Sequence, residues 1–173
     1  RVEGNLLAAA QEVEKLALLR GEGPLDADGV LEAVSDAARY TIYDLADAAL
    51  AGDSARAVHV LNGLRGEGVD AVLILWALSR EVRSLTDIAE QMEAGTPAAQ
   101  AMKSVWAKRA PLVKKALSRH RAPAWRALLA LCARTDRVIK GQAPGSPWDE
   151  LLQLTIGLAG RPLFGRPASR PAP

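Results

Sequence analysis

This sequence predicts an all-α bundle of about eight or nine helices, on three observations. Apolar residues recur at the i, i+3, i+4 spacing of a helix face almost throughout. No segment alternates apolar and polar residues cleanly enough to read as a strand. The breaks between periodic segments carry Gly, Pro and capping residues, the chemistry that stops and starts helices. The chain has 173 residues, 49% of them hydrophobic, which suits one medium domain, or one domain with a fragment of another. A core is attainable at that size without disulfide or metal staples.

The first expected helix places Leu6, Leu7, Ala10, Val13, Leu16 and Ala17 on one face, with Glu3, Glu12, Glu14 and Lys15 on the other. It stops at Gly21-Glu22-Gly23-Pro24. Asp26 or Asp28 caps a second helix with Val30, Leu31 and Val34 inward. Thr41-Ile42-Tyr43-Asp44 reads as a capping box and opens a short helix carrying Leu45, Ala48, Ala49 and Leu50. Gly52-Asp53 restarts the pattern, with Val58, Leu61 and Leu64 inward and Arg56, His59 and Asn62 outward. Gly66-Glu67-Gly68 breaks it again.

The longest helix is expected from about 69 to 93. Its first half is apolar all round (Val72, Leu73, Ile74, Leu75, Trp76, Leu78), which predicts burial between layers at the centre of the bundle. Its second half narrows to Val82, Leu85, Ile88 and Met92. Thr96-Pro97 reads as N-cap and N1 of a short helix reaching about Trp106. Pro111 starts another, with Leu112, Val113 and Leu117 inward; Ala122-Pro123 starts the next, with Trp125, Leu128, Leu129, Cys132 and Ile139 inward. Ser146-Pro147-Trp148-Asp149 supplies N-cap, N1 proline and an acidic N3 for the last helix, which carries Leu151, Leu152, Leu154, Ile156 and Leu158. Residues 161–173 hold four prolines and three arginines and are expected to form a disordered Pro/Arg-rich tail. Residues 1–38 look separable, as the end of an upstream domain. Arg1 stands inside the first helical pattern, so the sequence reads as a piece of a longer protein.

Chemistry of the catalytic kind finds no footing in these residues. Gly63, Gly66 and Gly68 lack the Lys-Ser/Thr of a phosphate-binding loop and read as turn glycines. His59 and His120 are far apart and show no metal-ligand spacing. Cys132 falls on an apolar stripe and reads as a buried, inert thiol. As the single cysteine it cannot close an internal disulfide, which fits a reducing, cytoplasmic setting. Asp44 and Asp47 lie three apart without a His partner and read as capping and solvated groups. Trp76, Trp106, Trp125 and Trp148 fall near apolar stripes and are expected in the core, with base stacking the rival role. No apolar run reaches the length of a membrane helix. No catalytic residue, metal or cofactor is therefore expected.

Charge is the one feature above background. Residues 1–95 carry 8 basic and 17 acidic side chains, residues 96–140 carry 11 basic ones against Asp136 alone, and residues 141–173 carry 3 and 2. Lys103, Lys108, Arg109, Lys114, Lys115, Arg119 and Arg121 crowd two short helices, and Arg126, Arg134 and Arg137 share one face of the next. Like charges at i, i+4, such as Lys115 and Arg119, cost a few tenths of a kcal/mol each, so the segment is a candidate contact for DNA or another polyanion. The plainer reading is a solvated face neutralised by the acidic N-terminal half.

Several runs resemble a known family. The stretch 3–19, with Gly4-Asn5-Leu6-Leu7-Ala8, is similar to the end of the AAA+ module in the clamp-loader delta subunits of bacterial DNA polymerase III. Val34-Ser35-Asp36-Ala37-Ala38-Arg39-Tyr40-Thr41 resembles the junction after that family's lid. Ala55-Arg56-Ala57-Val58-His59-Val60-Leu61 and Leu64-Arg65-Gly66-Glu67-Gly68 resemble its next helix and turn, and Leu78-Ser79-Arg80-Glu81-Val82-Arg83-Ser84-Leu85 its long central helix. The resemblance covers about residues 1–160. It implies that 1–38 are the C-terminal part of the AAA+ lid and 39–160 a collar, or oligomerisation, domain. It further implies a non-catalytic assembly role beside gamma/tau and delta-prime subunits, in a machine that loads the sliding clamp onto primed DNA. The family's clamp-binding element belongs to an N-terminal module that this sequence does not contain, and the family's delta subunits lack a working ATP site. The competing expectation is a helical nucleic-acid-binding module using the basic face of residues 103–137. No membrane partner is expected.

Overall fold

The computed structural model describes residues 40–161, together with residues 10, 13, 14 and 17. Of the two helices expected within 1–38 only residues 10, 13, 14 and 17 are described, each of them helical; the rest of that stretch and the tail beyond Arg161 lie outside the described residues. Between 40 and 161 the chain forms seven helices: α1 (Ile42–Ala51), α2 (Ser54–Gly66), α3 (Ala71–Glu93), α4 (Ala98–Ala101), α5 (Ala110–Arg119), α6 (Ala122–Ile139) and α7 (Pro147–Leu158). No strand occurs among the described residues, so the all-α expectation holds.

The helix starts follow the capping chemistry of the sequence. Asp44 N–H donates to Thr41 Oγ1 at 3.0 Å, while Thr41 N–H donates to Asp44 Oδ2 at 2.9 Å, a reciprocal capping box. Asp53, Asp70 and Ser146 accept from the first-turn amides of α2, α3 and α7. α1 ends with Gly52 at φ 77°, where Gly52 N–H reaches Ala49 O and Asp53 N–H reaches Ala48 O, the paired bonds of a Schellman stop.

α3 is the spine. It packs against α6 most extensively, and also against α7, α1, α4 and α5. Ile74, Leu75, Leu78, Val82, Leu85 and Ile88 are buried in the core, which Leu45, Leu50, Leu64, Trp125, Leu151, Leu154 and Leu158 share. Thr86, Thr135 and Thr155 are buried without cost in lost hydrogen bonds, because each hydroxyl donates to the carbonyl four residues earlier, at 2.7, 2.8 and 2.7 Å.

Three expectations need correction. The first half of α3 is central but not buried all round: Val72 is 49% exposed, and Leu73 and Trp76 are half-buried. Its neighbours cover one side only, and hydrophobicity without a periodic gap could not say which. The short helix after Thr96 ends at Ala101 and not near Trp106, and its N-cap is Pro97, which offers no side-chain bond. Beyond it, Val105 N–H bonds to Met102 O and Arg109 N–H to Trp106 O, three-residue turns in a stretch where Ser104 and β-branched Val105 are weak helix formers. Finally, Trp106 is 65% exposed and leaves the core, whereas Trp125 is fully buried and Trp76 and Trp148 are half-buried.

Candidate interaction surface

The basic residues singled out in the sequence divide into two groups in space. Four of them are committed to partners inside the fold. Arg109, immediately before α5, donates from Nη2 to Asp47 on α1 and from Nη1 to Glu81 on α3, both at 2.8 Å, and so ties three helices together. Burial pulls its pKa down, but hydrogen bonding and charge from Glu81, with Asp47 behind it, outweigh this and leave it raised. Arg119, at the last turn of α5, donates from Nη2 to Leu50 O and, at 3.2 Å, to Ala49 O, which already accepts from Gly52 N–H, at the C-terminal end of α1. A cation at that negative end is favoured by the helix dipole, while desolvation lowers the pKa of the guanidinium.

Arg126 on α6 lies 3.4 Å from Glu90 and 3.3 Å from Glu93 on α3, an exposed cluster of small energetic weight. Arg134 on α6 points Nε at both oxygens of Glu150, at 3.0 and 3.1 Å. Glu150 is a buried carboxylate in the first turn of α7, so this pair is a structural contact and not a free cation.

The second group is exposed. Lys103, Lys114, Lys115, Arg121 and Arg137 have no carboxylate within ion-pair distance among the described residues. Lys108 stands 5.2 Å from the centre of the Trp106 ring, a cation–π contact at the surface. Of the stripe of Arg126, Arg134 and Arg137, the first two are half-exposed and ion-paired, and Arg137 has no carboxylate partner among the described residues. Arg109 and Arg126 fold against carboxylates from the acidic half, and helical spacing within one segment could not reveal those partners. The pairing of Arg109 with both Asp47 and Glu81 spans 62 and 28 residues and left no local signal.

His59 lies on the exposed face of α2, as its spacing suggests, and sits 3.0 Å from the Tyr40 hydroxyl. His120, between α5 and α6, is half-buried, with Nε2 3.3 Å from Leu158 O and its ring edge-on to Trp125 at 5.0 Å. Cys132 is buried, and desolvation raises its pKa against smaller opposing effects of Ser79 and Arg83. Among the described residues no group of three or more His, Cys, Asp or Glu side chains could hold a metal ion. No described helix is long and apolar enough to cross a membrane.

This bundle has known relatives. The family described as "Processivity clamp loader gamma complex DNA pol III C-term" matches residues 42–165, which takes in all seven helices. The chain belongs to this clamp-loader family. It is 39% identical to the DNA polymerase III subunit delta of Escherichia coli (strain K12) over 163 residues, covering 93% of this chain and 47% of that protein. It is 27% identical to the subunit of the same name from Haemophilus influenzae over 164 residues, covering 89% and 48%. The chain thus spans about half the length of the curated relatives it matches. The delta-subunit resemblance of the early runs and the all-helical architecture agree with this family membership.

Proposed function

We propose that this chain is the non-catalytic assembly portion of a clamp-loader delta subunit of DNA polymerase III, with residues 39–160 as its collar domain. The carrying observation is the family match across the whole described bundle. On this reading residues 1–38 are the end of the AAA+ lid. The collar associates with neighbouring clamp-loader subunits, gamma/tau and delta-prime, and holds the complex that places the sliding clamp on primed DNA. Contact with the clamp itself belongs to an N-terminal module outside this sequence. Ion pairs join α1, α3 and α5 through Arg109. Light scattering on this chain mixed with the collar regions of gamma/tau and delta-prime tests the reading. A co-eluting complex of defined mass supports it, and separate peaks at micromolar concentration refute assembly through this portion.

A specific observation supports a second contact, with DNA. Trp106 is the most exposed large apolar residue between 40 and 161, Lys108 lies over it, and Lys103, Lys114 and Lys115 are without carboxylate partners among the described residues. An exposed aromatic ring with a lysine over it, in a segment rich in unpaired lysines, suits single-stranded nucleic acid. Engaging these four lysines gives a log–log salt slope of about −3, at ~0.7 per phosphate. Binding that is insensitive to salt and to Trp106→Ala removes this contact without touching the assembly role.

A further inference from the structure

A cavity of about 320 Å³ lies where α3 passes the α5–α6 junction. Ala89 and Met92 of α3, Leu117 of α5 and Ala122 of α6 form its apolar wall, and Met92 is 39% exposed there. His120 and Arg121, between the two later helices, line it as well. A cavity of about 150 Å³ can hold benzene, so this one admits a large aliphatic or aromatic side chain with room beside it for a polar group. Two contacts hold His120 in that wall. Its Nε2 donates to Leu158 O at 3.3 Å, since a carbonyl can only accept, and its ring packs edge-on to Trp125 at 5.0 Å.

The charge left open at this cavity is positive. Glu93 also lines it, but that carboxylate is already paired with Arg126 at 3.3 Å. Arg121 is exposed and has no carboxylate within ion-pair distance among the described residues. Lys114, one turn before Leu117 on the same side of α5, is unpaired too. α6 begins beside them with no side-chain cap and no acidic residue in its first turn, so the positive end of its dipole adds to the same field. An anion next to an apolar group is the chemistry that complements this combination.

We propose that this cavity docks a short segment of a partner protein in which a large apolar side chain stands beside an Asp or Glu. The apolar side chain enters between Ala89, Met92 and Leu117, and the carboxylate meets Arg121 at the start of α6. Apolar burial supplies the affinity. The cation selects the sequence, and an exposed ion pair gives it a preference of about two- to fivefold. The inference rests on the cavity and its unpaired cations, not on the clamp-loader reading, which its failure leaves untouched.

The chain has two methionines, Met92 at the cavity and Met102 in the core, so isotopic labelling of methionine methyl groups in the full chain gives one probe of the site and one control. The ligands are blocked tetrapeptides: acetyl-Ser-Asp-Phe-Ser-amide, with Asn-Phe and Asp-Ala counterparts. The Asp-Phe peptide is expected to move the Met92 methyl resonance saturably at millimolar concentration or below and to leave Met102 in place. It binds about two- to fivefold more tightly than the Asn-Phe peptide, and the Asp-Ala peptide does not bind. Arg121→Gln abolishes the preference for Asp and leaves Asn-Phe binding unchanged. No saturable movement of Met92 with the Asp-Phe peptide overturns the proposal, and that measurement needs no variant. Equal binding of the Asp-Phe and Asn-Phe peptides, or a preference that survives Arg121→Gln, overturns it as well. A Met92 resonance that moves with protein concentration alone makes a second copy the occupant and refutes the partner segment.

Discussion

Replacing Arg119 separates a structural cation from a binding one. Its guanidinium donates to Ala49 O and Leu50 O at the end of α1, and its stem runs beside Gly52 and Gly160. Hydrogen bonds from a charged donor contribute about 1.5–3 kcal/mol each when buried. Arg119 is half-exposed, so solvent competition reduces this to about 1 kcal/mol each. The favourable dipole adds ~0.3–1 kcal/mol, and relief of repulsion from Lys115 returns a few tenths. Arg119→Met, which keeps the stem, is therefore expected to cost about 2 kcal/mol in urea unfolding, or ~8 °C in Tm for a domain of this size. Arg119→Lys keeps the charge and loses the fork, and falls between the two. Lys115→Met, one turn earlier and exposed, is the control and stays within about 0.5 kcal/mol. A cost below about 0.5 kcal/mol for Arg119→Met, with a loss of DNA affinity, would refute the capping argument and return Arg119 to a polyanion face.

Three further outcomes follow from the same geometry. Arg134→Ala leaves the Glu150 carboxylate buried with only the α7 dipole to favour it, and is expected to lower stability by about 1–2 kcal/mol; no change in the denaturation midpoint would contradict the pairing. His120 has its pKa lowered by burial, with Arg119 adding to the effect and the Leu158 and Gly157 carbonyls opposing it. The unfolded chain therefore takes up the proton first, so stability falls as pH drops below about 6.5, and this portion of the slope vanishes in His120→Gln; a slope unchanged in the variant sinks the assignment. Cys132 is expected to react with iodoacetamide at pH 8 only as fast as the domain opens, since desolvation holds it as the thiol, and labelling at the rate of the urea-unfolded chain would show the site to be open.

The helices that were legible are those whose signals are local. Thr41–Asp44 and Ser146 announce their caps within four residues, and each cap is present with its hydrogen bond. The region between Thr96 and Arg109 misled because Thr96 does not cap the short helix, which starts after Pro97 without a side-chain bond, and because the weak helix formers Ser104 and Val105 were outweighed by the start signal. Trp106 shows the same limit: near an apolar stripe it reads as core, and only the turn geometry after Ala101 carries it outward. In α3, the seven consecutive apolar residues 72–78 erase the period that would choose a face. The choice falls to α6, α7 and α1, which lie far away in sequence. The basic segment was legible as charge but not as partnership, since spacing within a helix is silent about carboxylates on another.

That partnership explains why a chain of net charge +2 carries so uneven a distribution. Opposite charges concentrated in separate segments favour pairing between the segments over pairing within them. Asp47 and Glu81 meet Arg109, and Glu90 and Glu93 meet Arg126. These bridges join the helices before residue 95 to those after it, whereas Arg134–Glu150 and Lys140–Asp136 lie wholly after it. Exposed pairs of this kind add little stability, so their weight lies in which helices can sit together. A partner that recognises this domain by charge therefore meets not the sum over residues 96–140 but chiefly the cations without a carboxylate partner, Lys103, Lys108, Lys114, Lys115, Arg121 and Arg137 among the described residues.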